Sequence, residues 1–221
     1  TEAETDYLLN FAEKNDFIKG VVGWVDLRAD NIEERLEHYS HYKLLKGMRH
    51  VVQAEPDDFM LGSDFQNGIS HLYEYGFVYD ILVFPTQLNA SIALAEKFPD
   101  QQFVLDHIAK PYIKDKKIDG WAEGIKNLAM SPNVQCKVSG MVTEADWTNW
   151  KEEDFTPYLD VVFEAFGVDR VMYGSDWPVC LVASEYNRML NILENYISKY
   201  SEEDKAKIMG ENAVRFYSLN S

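Results

Sequence analysis

The sequence predicts an α/β protein whose parallel strands curl toward a barrel, and three observations carry that expectation. Short runs rich in β-branched and aromatic residues start near residues 20, 45, 79, 102, 134 and 170. These starts span 150 residues in five steps, about 30 per step, which is the cadence of strand–helix units in a parallel sheet. Within the runs apolar and polar residues alternate, so one face meets helices while the other gathers charged groups. A barrel interior with an active site at its C-terminal mouth fits that arrangement. A doubly wound open sheet of six strands fits the length as well. However, no Gly-x-Gly-x-x-Gly or Gly-x-x-x-x-Gly-Lys loop follows any run, so its nucleotide-binding form has no support.

The elements follow in order. Strands are expected at 20–27, 47–52, 79–84, 102–107, 134–139 and 170–176. In the fifth, Val134, Cys136 and Val138 oppose Gln135, Lys137 and Ser139. Likewise Ile81 and Val83 oppose Asp80, and Met48 and Val52 flank Arg49. Between strands, Ile32, Leu36, Tyr39 and Tyr42 form one helical stripe, and Tyr186, Met189, Leu190, Leu193 and Ile197 another. A last helix is expected from Ser201, with Asp204 three residues on as in a capping box. No Pro/Gly/Ser-rich linker interrupts the chain, so residues 1–221 read as one domain.

Composition excludes several classes. Hydrophobic residues at 46% and charged residues at 26% rule out disorder as a description of the whole. No run of about 18 apolar residues exists, and the acidic start lacks the layout of a secretory signal. With 37 acidic against 21 basic residues, the net charge of −16 repels phosphate backbones, so neither nucleic acid nor a membrane is expected as a partner. Cys136 and Cys180 make neither a disulfide framework nor a zinc spacing, which fits a reducing cytosol and a cytoplasmic protein. Aromatic residues could serve a homodimer surface, and the sequence leaves that open.

Two strand ends carry candidate chemistry. His107 closes one run and Asp176 another, and in a parallel barrel both would converge on one mouth. Imidazole and carboxylate are ligands for zinc, but a catalytic zinc takes three protein ligands and two fall short. Without a metal, Asp176 could act as general base and His107 as a hydrogen-bonding electrophile. On spacing alone, a structural role for either residue is the favoured reading.

Longer motifs add a resemblance. Phe103-Val-Leu-Asp-His-Ile-Ala-Lys-Pro111, Val134-Gln-Cys-Lys-Val-Ser-Gly140 and Tyr173-Gly-Ser-Asp-Trp-Pro178, in this order, resemble the lactonase-type branch of the amidohydrolase superfamily. That branch holds the fuconolactonase-like and pyrone-dicarboxylate-lactonase-like hydrolases. The resemblance implies a (β/α)₈ TIM barrel of the metal-dependent hydrolase type, using a divalent metal ion, zinc above all, or none. It implies that His107 and Asp176 are the catalytic pair and, where a metal is bound, its ligands. Arg49 would hold a substrate carboxylate or carbonyl, and Lys137 would contact substrate. Asp80 and Trp24, expected to face the same interior, would bind sugar hydroxyls or pack a ring; Trp177 would wall the pocket.

The family opens with a His-x-His strand and a second strand, and neither is present here. The first two β/α units are therefore expected to be absent from this chain, leaving an N-terminally incomplete barrel. His38 and His41 are expected as a solvated pair on a helix, and Cys180 as a bystander rather than a nucleophile. Asp106 is expected to point away from His107 and to satisfy buried backbone groups. The function expected is hydrolysis of a small sugar-derived or carboxylate-bearing lactone by activated water. A non-catalytic metabolite-binding barrel, or a decarboxylase or hydratase of the same superfamily, is the alternative.

Overall fold

The computed structural model describes residues 1–219. Six strands form one sheet: β1 (Val21–Gly23), β2 (Leu45–Val51), β3 (Val78–Leu82), β4 (Phe103–Leu105), β5 (Val134–Val138) and β6 (Val171–Tyr173). All neighbouring pairs are parallel. Spatial order equals chain order, so each crossover returns on the same side and the sheet curls as part of a barrel instead of opening as a doubly wound sheet. All six expected strands are present, most of them shorter than their β-rich runs, because the residues at the C-terminal ends leave the ladder for loops.

The outer layer consists of helices α1 (Glu2–Ala12), α2 (Ile32–Ser40), α3 (Ser63–Leu72), α4 (Leu88–Lys97), α5 (Asp119–Ala129), α6 (Thr156–Phe166) and α7 (Tyr186–Ile197). Two short helices, α8 (Glu202–Ala206) and α9 (Asn212–Phe216), flank a π-helical turn, Lys207–Glu211. Ser201 caps α8 by accepting the Asp204 N–H at 3.1 Å, as its spacing predicts. The α7 stripe buries Met189, Leu193 and Ile197, whereas Tyr186 at its first turn is exposed. Among the described residues no helix is long and apolar enough to cross a membrane.

Strand alternation divides the apolar residues into two sets. Tyr79, Ile81, Phe103, Leu105, Cys136 and Val171 join the large cluster between sheet and helices. Their neighbours Val78, Val104 and Met172 point to the opposite, inner face, where Phe216 of α9 packs against them. This partition is the period-2 rule acting strand by strand. It also fixes the site, because residues two positions beyond the inner set carry charge: Asp80 follows Val78, and Asp106 follows Val104.

Candidate active site

The inner face of the sheet holds a network of buried charges. Arg49, on β2, is in register with Asp80 on β3, and Lys137 stands on β5 next to Met172 of β6. Lys137 Nζ donates to Asp80 Oδ2 at 2.5 Å and lies 2.8 Å from Asp106 Oδ1. Arg49 Nη1 donates to Asp106 Oδ2 at 3.0 Å. The Tyr217 hydroxyl, just past α9, meets both oxygens of Asp80 at 3.0 and 2.9 Å. Two carboxylates and two cations thus balance in a space where Asp80 and Asp106 are both fully buried. Burial alone would raise Asp106, but Lys137, His107 and Arg49 outweigh it and hold its carboxyl at about 2. For Asp80 burial prevails over Lys137, and its carboxyl sits above the usual range.

His107 and Asp176 reach the same cleft by a different route, since neither lies in a strand. After Leu105 the chain enters a left-handed stretch in which His107, Ile108, Ala109 and Lys110 have φ of 54°, 47°, 57° and 47°. Each non-glycine residue so placed costs roughly 1–2 kcal/mol, because Cβ crowds the following carbonyl. The turn redirects His107 toward the cleft, where Nδ1 pairs with Ser139 Oγ at 2.8 Å and Nε2 lies 3.5 Å from Asp176 Oδ1. Asp176 is itself at φ 51°. Gly140, at φ 62°, makes room: a Cβ there would stand 2.8 Å from the His107 Cβ. Burial pushes the His107 imidazole below its ordinary range despite Asp106 and Asp176, which favours the neutral ring. The second Asp176 oxygen, Oδ2, is buried and has no hydrogen-bond partner.

These groups line a cleft of about 570 Å³. Arg49, Lys137, His107, Asp176 and Trp177 contribute to its wall, as do Gln53 and Lys110. Trp177 is 62% exposed at the rim. Asp80 lies beneath, reaching the cleft through Lys137. Trp24 is not brought there. It leaves β1 toward the helix layer, and its indole N–H donates to His50 Nδ1 at 3.2 Å, on the face of β2 opposite Arg49. The expectation for Trp24 fails because strand β1 ends at Gly23, so alternation cannot be extended to the next residue.

Asp106 corrects a second expectation. It is the inward residue of its pair, because alternation runs from Val104, and it receives side-chain cations instead of backbone groups. His107 faces the cleft by the left-handed turn and not by alternation. His38 and His41 are exposed at the end of α2, and Cys180 is buried with its thiol pushed up by burial and by Asp176. Three participants have no site role in the sequence analysis: Asp106, set there among buried backbone groups, Ser139, set there only on a polar face, and Tyr217, absent from it. Ser139 was recoverable, since it sits two residues beyond Lys137 on the polar face. Tyr217 carried no local signal.

Comparison with known proteins settles the family. The model of the family described as Amidohydrolase matches residues 1–219. The chain belongs to that family. Among curated amidohydrolase relatives, L-fucono-1,5-lactonase of Burkholderia multivorans is 37% identical over 228 residues, covering 98% of this chain and 77% of that protein. L-rhamnono-gamma-lactonase of Scheffersomyces stipitis is 23% identical over 238 residues, covering 93% of this chain and 70% of that protein. A crystal structure of an amidohydrolase from Burkholderia multivorans with bound zinc superposes with a TM-score of 0.95 at 37% identity, covering all of this chain and 80% of that one.

An amidohydrolase with a zinc-bound neighbour raises the question of metal. His107 Nε2 and the unpartnered Asp176 Oδ2 are donors of suitable chemistry. Among the described residues, however, no group of three or more His, Cys, Asp or Glu side chains gathers to hold an ion. Two donors do not fit the three-ligand shell of a catalytic zinc. The chemistry below is therefore derived from the side chains alone.

Proposed function

We propose that this amidohydrolase opens a small sugar-derived or carboxylate-bearing lactone, with Asp176 as the base that activates water. The observation that carries the reading is Asp176 Oδ2, a buried carboxylate oxygen without a partner, on the wall of a cleft at the C-terminal ends of the strands. The names of the curated relatives support the substrate class.

In this reading Oδ2 accepts a proton from water as the water oxygen bonds to the lactone carbonyl carbon. Negative charge collects on the former carbonyl oxygen. Arg49 spends one N–H on Asp106 and keeps 42% of its side chain exposed to meet that charge or a substrate carboxylate. The tetrahedral centre then collapses, the ring C–O bond breaks, and the leaving oxygen takes the proton from Asp176. His107 is the neutral imidazole that holds Asp176 in place, itself held by Ser139. Lys137 is committed to Asp80 and Asp106, so it tunes the cleft's potential instead of gripping substrate.

The six strands would be six units of one eight-unit barrel domain spanning this chain. Among the described residues β1 and β6 each have a strand on one side only, and this chain spans 70–80% of the lactonases and the zinc-bound structure named above; both support that view. The intact mass of the natively produced protein tests it: about 6–7 kDa above 25.5 kDa matches two further units. Function is tested with a panel of five- and six-membered sugar lactones, assayed with and without chelator. Turnover of at least one lactone, lost in Asp176→Asn, is expected. A panel with no turnover under either condition overturns the assignment.

A further inference from the structure

The left-handed stretch after β4 places four consecutive non-glycine residues where L side chains are disfavoured, so something outside the stretch must hold it. Within it, the Lys110 N–H closes on the His107 carbonyl at 2.8 Å. Ile108 and Ala109 are fully buried, so the polar backbone between them needs a partner other than water. The Ile108 carbonyl finds it in the helix layer: Trp121 of α5 donates its indole N–H at 2.7 Å. Trp121 is 4% exposed and packs against Tyr158 of α6, with ring centroids 5.2 Å apart. A buried indole N–H needs an acceptor, and here the Ile108 carbonyl is the one it takes.

We propose that Trp121 is a positioning residue of the active site: by holding the Ile108 carbonyl from the outer helix layer, it keeps the left-handed turn wound and His107 aimed at Asp176. Trp121 touches neither substrate nor the reacting atoms. Its effect passes through one carbonyl, one residue after the histidine it steers. The kinetic part of this proposal rests on the lactonase reading; the geometric part does not.

The test is Trp121→Phe, which removes the N–H and keeps an aromatic ring on Tyr158. The primary readout is the ring ¹⁵N spectrum of the histidines, with His107 assigned by loss of its signals in His107→Asn. In Trp121→Phe, the His107 ring shifts at fixed pH are expected to move, while the other four histidines stay put. With a lactone that the native protein hydrolyses, kcat is expected to fall about ten- to a hundredfold with KM nearly unchanged, as displacement of a catalytic group does. Should Trp121→Phe fail to fold, site-specific incorporation of benzothienylalanine at 121 keeps the indole's shape and deletes only the donor. Unmoved His107 signals in a folded variant overturn the proposal. Moved signals without lactone turnover in the native protein sustain it and sink the lactonase reading instead.

Discussion

Two groups of residues meet in the cleft, and they are placed by opposite means. Arg49, Asp80 and Lys137 stand on β2, β3 and β5, where the ladder fixes register and the pleat fixes direction. His107 and Asp176 stand beyond strand ends at positive φ, held by contacts with Ser139, Gly140 and each other. The strand-borne cations are engaged with carboxylates. The loop-borne pair keeps a carboxylate oxygen open. Regular structure thus supplies a neutralised floor, and strained loops supply the groups with chemistry left to do.

Substitutions should separate the two groups. Replacing Asp176 by Asn is expected to lower lactone hydrolysis by about 10²–10⁴-fold, the range of a lost general base, with an unchanged melting transition. Retention of more than a tenth of native turnover would break the contrast at its catalytic side. The mirror case is Lys137→Met, which strands Asp80 and Asp106 without their shared cation. Chemical denaturation should show a loss of about 3–5 kcal/mol, as for other buried ion pairs broken on one side. A loss under about 1 kcal/mol would mean that water or Arg49 neutralises the floor unaided.

pH sharpens the comparison further. The His107 imidazole lies below 6.5 because it is buried, so just under that pH the unfolded chain binds the proton that the folded protein refuses. Its stabilising share is complete above about 6.5 and drains as pH falls through the folded value. Urea melts at pH 7.5 and 5.5 should therefore show a larger acid loss in the native protein than in His107→Gln; equal losses would count against a buried neutral ring. The smallest effect is expected from Ser139→Ala. Losing one hydrogen bond to the ring should cost about 0.5–1.5 kcal/mol in stability and slow kcat several-fold. An increase in kcat would show that Ser139 restrains the ring unproductively.

The strand-borne half of the site was legible because period 2 is a local rule: Arg49, Asp80 and Lys137 could be set on one face by counting. The same counting misled at two places. Alternation carried on to His107 turns Asp106 outward, whereas the backbone reverses handedness between them. Alternation carried on to Trp24 turns it inward, whereas its strand stops one residue earlier. His107 and Asp176 were found by motif and by their place at strand ends, but the left-handed turn that unites them has no compositional mark, containing no glycine at all. The cadence of about 30 residues announced six parallel strands, and sequential order was the part that only long-range pairing could reveal.

The terminal segment of a domain can ordinarily be trimmed with little effect. Here Phe216 fills the inner face against Val78, Val104 and Met172, and Tyr217 supplies Asp80 with a hydroxyl donor. Residues that come late in the chain therefore behave as core. A chain cut before Phe216 would uncover Val78, Val104 and Met172 and take from Asp80 its hydroxyl donor, so synthesis has to pass Tyr217 before the inner face of the earlier strands can close.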